Sequence, residues 1–222
     1  MNGFYREERL PRGNILYTYD CSVQRTYGRA PVAAPHIHEF FEILYCQSGA
    51  YTLLLNEKPY ELYPGDMALI DPMEIHSTRA MFEGTNQYLV IKFAPEVLYS
   101  TDPLVFELRY FLSYIKGSGS HQKVFPAEQT RAAAVGVMLQ EIVDEFLGKE
   151  FGYEIALRAN ISRLFLWILR CWHANGRKDV PDDAAIITLT KALEYVDMHL
   201  NQAINMADAA RHVDMSYTVF SR

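Results

Sequence analysis

Cysteine is scarce: Cys21, Cys46 and Cys171 are far apart and odd in number. None sits in metal or redox spacing, which excludes a disulfide framework and a thiolate zinc module and leaves buried thiols in a reducing compartment. Long apolar runs are also missing. The longest, Leu164 to Leu169, falls far short of the roughly 20 residues that span a bilayer, so no membrane partner is expected. The charged stretch from Met1 to Gly13 has no apolar centre and does not read as a secretory leader, so a cytoplasmic location is expected. Positive charge is short as well. A net charge of −6 and a pI near 5.6 argue against a protein that coats nucleic acid, although they allow a nucleic-acid module joined to an acidic sensor. There is no internal repeat and no low-complexity tract.

What is present begins at Pro35-His36-Ile37-His38-Glu39-Phe40-Phe41-Glu42-Ile43-Leu44-Tyr45-Cys46. Aromatic and β-branched residues dominate and Ser48-Gly49 ends the run, which predicts one strand. Alternation places His36, His38, Phe40, Glu42 and Leu44 on one face, and Ile37, Phe41, Ile43 and Tyr45 on the other. His76 follows the Pro64-Gly65-Asp66 corner and a short apolar strand. Three histidines and a glutamate are a first-row metal ligand set. They also suit a polar pocket without an obligate metal, in which Phe40 supplies apolar contact, or a satisfied structural cluster. Zinc, nickel, iron and manganese are the divalent candidates; none is required. The other histidines (His121, His173, His199 and His212) read as structural or surface groups.

The organisation is α+β. Strands are predicted at Ile15–Tyr19, Tyr51–Leu55, Tyr60–Leu62, Met67–Ile70 and Tyr88–Phe93, with a hairpin turn at Asn56–Pro59. Closely spaced short strands without a helical period indicate a sandwich or small barrel. From Pro95 to Ile115 the chain leans helical, ending in a flexible break at Lys116–Ser120. A helix over Ala127–Phe146 and another over Glu154–Trp172 form an antiparallel hairpin. A homodimer seam is expected on the hairpin stripe or on the face of Ile37, Phe41 and Ile43. Ala174 to Asp183 reads as a linker.

Beyond it, Ile186–Leu200 forms an amphipathic helix. Asn205 caps a short helix over Met206–Val213, with Asp208 placed for a capping box. Ser216 opens a further helix at Tyr217. Helix, tight turn and capped helix give the helix-turn-helix layout, whose second helix enters the major groove.

His36-x-His38-x3-Glu42-x6-Gly49 resembles the first motif of the cupin superfamily, and Pro64-Gly65-Asp66 with Pro72 and His76 resembles the second, with Met73 in place of its usual glycine. The wording around His36–Gly49, together with Ile204–Ala210 and Val213–Arg222, is similar to AraC-type transcription regulators. That resemblance implies a cupin-like antiparallel β-barrel with an N-terminal arm (residues 1–100), a dimerising helical hairpin (101–176), a linker (177–185) and a partial helix-turn-helix domain (186–222). It implies a regulator cut short inside the first of two helix-turn-helix units. His36, His38, Phe40, Glu42 and His76 would bind a small effector such as a sugar, and Ser216, Tyr217, Thr218, Ser221 and Arg222 would face DNA. From Ile186 on, three basic residues face four acidic ones, so weak DNA affinity is expected from this region alone. The competing readings are a metal-dependent cupin enzyme, a dioxygenase or isomerase, using His36, His38, Glu42 and His76 as ligands, and a dimeric binding module without a DNA role. No catalytic residue is assigned.

Overall fold

A computed structural model describes residues 4–8, 18–98, 121–175 and 183–221. They fall into two compact units: one holds the residues up to Val97 and His121–Ile168, the other Leu98 and those from Leu169 onward. Residues 15–17 of the strand expected over Ile15–Tyr19, the helical lean beyond Leu98, the break at Lys116–Ser120, most of the linker and Arg222 lie outside the described residues.

The first unit is built on ten strands: β1 (Tyr5–Arg6), β2 (Tyr19–Tyr27), β3 (Pro31–Ile37), β4 (Phe41–Ser48), β5 (Tyr51–Leu55), β6 (Lys58–Leu62), β7 (Met67–Ile70), β8 (His76–Ala80), β9 (Thr85–Phe93) and β10 (Val124–Phe125). One sheet has the order β1-β3-β8-β5-β6 and the other β10-β7-β4-β9-β2. All pairs are antiparallel except β1 with β3. This corrects the closed barrel: among the described residues the strands form two separate five-stranded sheets. It also corrects the single strand from Pro35 onward. The chain leaves β3 at Ile37 and enters β4 at Phe41, so His38–Phe40 cross from one sheet to the other.

Inward alternation fills the space between the sheets with Leu44, Cys46, Leu53, Leu55, Ile70 and Val90. The opposite face of β4 carries Phe41 and Ile43, both 1% exposed. Helices cover that side: α1 (Ala127–Ala132), α2 (Val135–Gly148) and α3 (Tyr153–Ala174). Helix α2 packs on β2 and β9, Phe165 of α3 lies against Phe41 (6.0 Å between ring centres) and Trp167 against Phe125 (5.2 Å). Both proposed dimer seams are therefore spent within one chain, since Phe41, Ile43, Leu139, Ile142, Leu157 and Ile161 are buried. The apolar side chains still exposed on the hairpin are Val137, Leu147, Phe151, Ile155 and Leu166.

The expected helix over Ala127–Phe146 is broken. Ala134 has φ +52° and separates α1 from α2. Two anchors explain the kink. The Pro64-Gly65-Asp66 corner holds α1: Asp66 Oδ1 accepts from Ala127 N–H (2.7 Å) and Thr130 Oγ1 donates to the Gly65 carbonyl (2.6 Å). Asp66 thus caps the helix from 61 residues away, doing what Pro126 cannot. Helix α2 instead sits where Gly136 meets the Tyr45 hydroxyl, 2.7 Å from a Cβ placed there.

In the second unit, α4 (Asp183–Met198), α5 (Met206–His212) and α6 (Tyr217–Phe220) follow the expected order. Asn205 caps α5 by accepting from Ala207 N–H (2.9 Å). Asp208 pairs with Arg211 rather than closing a capping box. Asp214 turns the chain at φ +57°, and Met215 N–H donates to the Ala210 carbonyl (2.9 Å). The buried Ala209 and Ala210 make α5 thin where its neighbours cross. Among the described residues no helix is long and apolar enough to cross a membrane.

Gly49 has φ +79°, and a Cβ there would lie 2.4 Å from Asn86 Oδ1. Asn86 is fully buried and its amide donates to the carbonyls of Phe82 (2.9 Å) and Gly84 (3.1 Å). Gly49→Ala is expected to lower unfolding free energy by about 2–3 kcal/mol, whereas Met73→Gly, at an exposed residue with φ +65°, is expected to leave it unchanged or raise it by up to about 1 kcal/mol. Urea titrations of both variants check this contrast.

Candidate metal centre

His36, His38, Glu42 and His76 converge at one end of the space between the sheets. Each offers a donor atom, and the four donors lie within 4.8 Å of one another. All four residues are buried, at 5% exposure or less. Pairing register explains the convergence. In the first sheet His36 stands opposite His76, and His76 opposite Leu55. In the second, Glu42 stands opposite Ile70 and Lys92, and Lys92 opposite Asp20. His38 comes from the crossing between the sheets, where Met73 N–H donates to its carbonyl (2.8 Å). The left-handed backbone that the cupin pattern assigns to glycine is adopted here by Met73, so the departure from the motif costs some strain but not the geometry.

The rings are aimed from behind. His36 Nδ1 lies 2.9 Å from the Ala34 carbonyl, His76 Nδ1 2.9 Å from that of Glu74, and His38 Nδ1 3.2 Å from that of Phe40. A carbonyl only accepts, so each Nδ1 carries the proton and each Nε2 presents a lone pair to the centre. Two details then ask for a cation. His76 Nε2 is buried without a hydrogen-bond partner. His38 Nε2 lies 2.8 Å from Glu42 Oε2, a contact between two lone pairs unless a second proton or a shared cation lies there. His76 Nε2 is 3.6 Å from the same oxygen. His36, His38 and His76 would hold such an ion through imidazole nitrogens and Glu42 through a carboxylate oxygen. The residues fit a divalent cation, which would supply a Lewis-acidic centre.

Charge supports the same reading. Burial pushes the Glu42 carboxyl up, but the neighbouring His38 and His76 imidazoles and the Lys92 ammonium outweigh it and hold it well below the usual carboxylate range. Burial lowers His36, helped by the neighbouring His76, which keeps it neutral and able to ligate. Burial also works to lower His76, yet the Glu42 carboxylate reverses this and raises it. Burial would lower Lys92, but Glu42 and Glu7 keep it raised. Lys92 Nζ donates to both carboxylate oxygens of Glu7 (2.7 and 2.8 Å) and lies 3.8 Å from Glu42. Three carboxylates, Glu7, Asp20 and Glu42, thus surround one ammonium, leaving negative charge for a bound cation to neutralise.

All five sequence-nominated pocket residues are brought together: Phe40 lies edge-on to His38, 6.0 Å between ring centres. Glu7, Asp20, Lys92 and Tyr5, which stacks on His36 at 5.2 Å, were missed. Lys92 had a signal, a lone cation inside the apolar run Tyr88–Phe93; Glu7 had none. In the second unit Ser216, Tyr217, Thr218 and Ser221 are exposed, on α6 and its flanks.

Residues 20–102 match the family described as the AraC-like ligand binding domain. Among solved structures the chain is similar to ToxT from Vibrio cholerae strain SCE256, determined with a bound unsaturated fatty acid (11% identity, 92% of this chain and 72% of that one, TM-score 0.47). It is also similar to a cupin protein from Bacteroides fragilis (23%, 37% and 71%, 0.35) and to a salicylate 1,2-dioxygenase from Pseudaminobacter salicylatoxidans (16%, 34% and 22%, 0.32). No curated protein matches. The stretch of the two-sheet sandwich from residue 20 thus carries the sequence pattern of an AraC-like ligand binding domain.

Protons compete with a metal for the Nε2 atoms as pH falls, so affinity is expected to rise with pH across the histidine range and to collapse below it. Cation at about 100 times its Kd is expected to stabilise the protein by about 2.7 kcal/mol, and Glu42→Gln or His38→Ala to abolish the increment. Thermal melts with and without zinc, from pH 5.5 to 8, read both effects.

Proposed function

We propose that this protein is a ligand-responsive regulator of AraC type, whose sandwich senses a small effector at a divalent metal held by His36, His38, Glu42 and His76. The observation that carries this reading is the coincidence of two facts. The AraC-like ligand-binding pattern spans residues 20–102, and the four convergent donors lie inside that span. The orphaned His76 Nε2 favours a metal over a purely hydrogen-bonding pocket, and Phe40 gives an effector an apolar wall. In this reading α5 and α6 are the DNA-facing pair, with Ser216, Tyr217, Thr218, Ser221 and Arg222 toward the duplex, and the chain works as a homodimer through the exposed Leu147, Phe151 and Ile155. Sensing requires that the effector bind one arrangement of the chain better than another. The domain division follows the same reading: sensor to about residue 100, hairpin to 176, linker to 185, DNA-facing part from 186. Phosphate contacts from this region are few, since its charge is not basic, so DNA binding is expected to be weak and only mildly salt-dependent.

A second reading has one observation in its favour. Three imidazoles and a carboxylate around a Lewis-acidic ion also serve a metal-dependent cupin enzyme, a dioxygenase or isomerase. Chelator-stripped protein reloaded separately with zinc, nickel, iron or manganese separates the two. Selection of bound sequences from a random duplex pool that changes with metal or small-molecule loading is the expected result. Stoichiometric iron with oxygen-dependent turnover, and no selection, would install the enzyme reading instead.

A further inference from the structure

A second buried charged cluster lies beside the donors without touching them. Lys123, just before β10, donates from Nζ to Asp71 Oδ2 and to Glu74 Oε2 (2.9 Å). Lys123 and Asp71 are each 7% exposed. Both acids belong to the loop that joins β7 to β8, and the loop is tied from within. Glu74 Oε2 also accepts from Asp71 N–H (2.8 Å), Glu74 Oε1 from Asn56 Nδ2 (3.3 Å), and Asn56 Oδ1 from Ile75 N–H (3.2 Å). The lysine's own backbone is fixed, because its carbonyl accepts from Leu69 N–H (2.9 Å).

The two residues through which this loop reaches the donors are Met73 and Glu74. Met73 N–H donates to the His38 carbonyl (2.8 Å), and the Glu74 carbonyl accepts from His76 Nδ1 (2.9 Å). Met73 holds φ +65°, a conformation that a side chain of its size leaves unless its surroundings over-determine it. The ammonium binds the loop on either side of that residue, at positions 71 and 74.

We propose that Lys123 is a positioning residue for the metal centre: its buried ammonium, by binding Asp71 and Glu74, holds the loop that aims His38 and His76 at Glu42. The role takes its ligand from the metal reading above, but the aiming of the rings is a property of the metal-free protein. Backbone groups that orient ligating histidines typically change metal affinity 10–100-fold when disturbed. A lysine that only balanced buried charge would change stability and leave the rings alone.

Two variants separate these roles. Lys123→Met leaves two carboxylates buried without a counter-ion and is expected to lower the melting temperature. The triple variant D71N/K123M/E74Q removes that imbalance and carries the comparison should the single variant not fold. Asp66→Ala, which weakens the α1 cap away from this loop, is the stability control. Ring-nitrogen NMR shifts of metal-free protein report the tautomer and environment of His38 and His76, and cobalt(II) titration reports affinity and the ligand-field spectrum. The expected result is altered His76 and His38 ring signals and cobalt affinity about 10–100-fold weaker in the Lys123 variants, with both unchanged in Asp66→Ala. Wild-type ring signals and cobalt spectrum in a folded triple variant overturn the proposal. If the unaltered protein takes up no cobalt, the metal reading fails; the ring signals then decide alone, sustaining the positioning role if altered and refuting it if not.

Discussion

A carboxylate enclosed between two sheets sets the terms for the whole sensor end of this molecule. Glu42 is 5% exposed, and an ionised group so placed is costly unless surrounded by partners. Each wall supplies some of them. The second sheet contributes Lys92 on the neighbouring strand, the first contributes His36 and His76, and the crossing between sheets contributes His38. Elsewhere the inner faces are apolar, from Leu44 and Cys46 to Leu53 and Val90. The sandwich thus has a dry body and one charged end, and chemistry is confined to that end.

Two acids show how structural and functional carboxylates differ. Asp66 accepts from backbone donors, Tyr63 N–H (2.8 Å) and Ala127 N–H (2.7 Å), which do not titrate, and so fixes a corner and a helix start. Glu42 instead meets titratable side chains, His38, His76 and Lys92. Their protonation can change, and a cation can replace the protons between them. The same contrast separates the Gly49–Asn86 contact, which locks loops together, from the His76 imidazole, whose inward nitrogen is left unmatched.

The strands with strong alternation or apolar runs were legible: Tyr51–Leu55 and Met67–Ile70 match to the residue. The four donors were legible as a set through their spacing. Three things were not. β8 (His76–Ala80) reads as polar because the inward positions are His76, Thr78 and Ala80, and β2 is half exposed at a sheet edge; neither shows apolar alternation. The crossing at His38–Phe40 was hidden because His36 and Glu42 both face inward from opposite sheets, which mimics a single strand face. The break at Ala134 carries no glycine or proline signal and arises from the two separate anchors of α1 and α2. Long-range partners such as Glu7 leave no local trace in sequence.

That last pairing bears on how the protein is born. Glu7 and Lys92 are 85 positions apart, and ribosomes add roughly 5–20 residues each second. Glu7 therefore emerges roughly 4–17 s before its counter-ion. The donors at 36, 38, 42 and 76 are all synthesised before Lys92, so the charged end of the sandwich cannot be completed until β9 has been made.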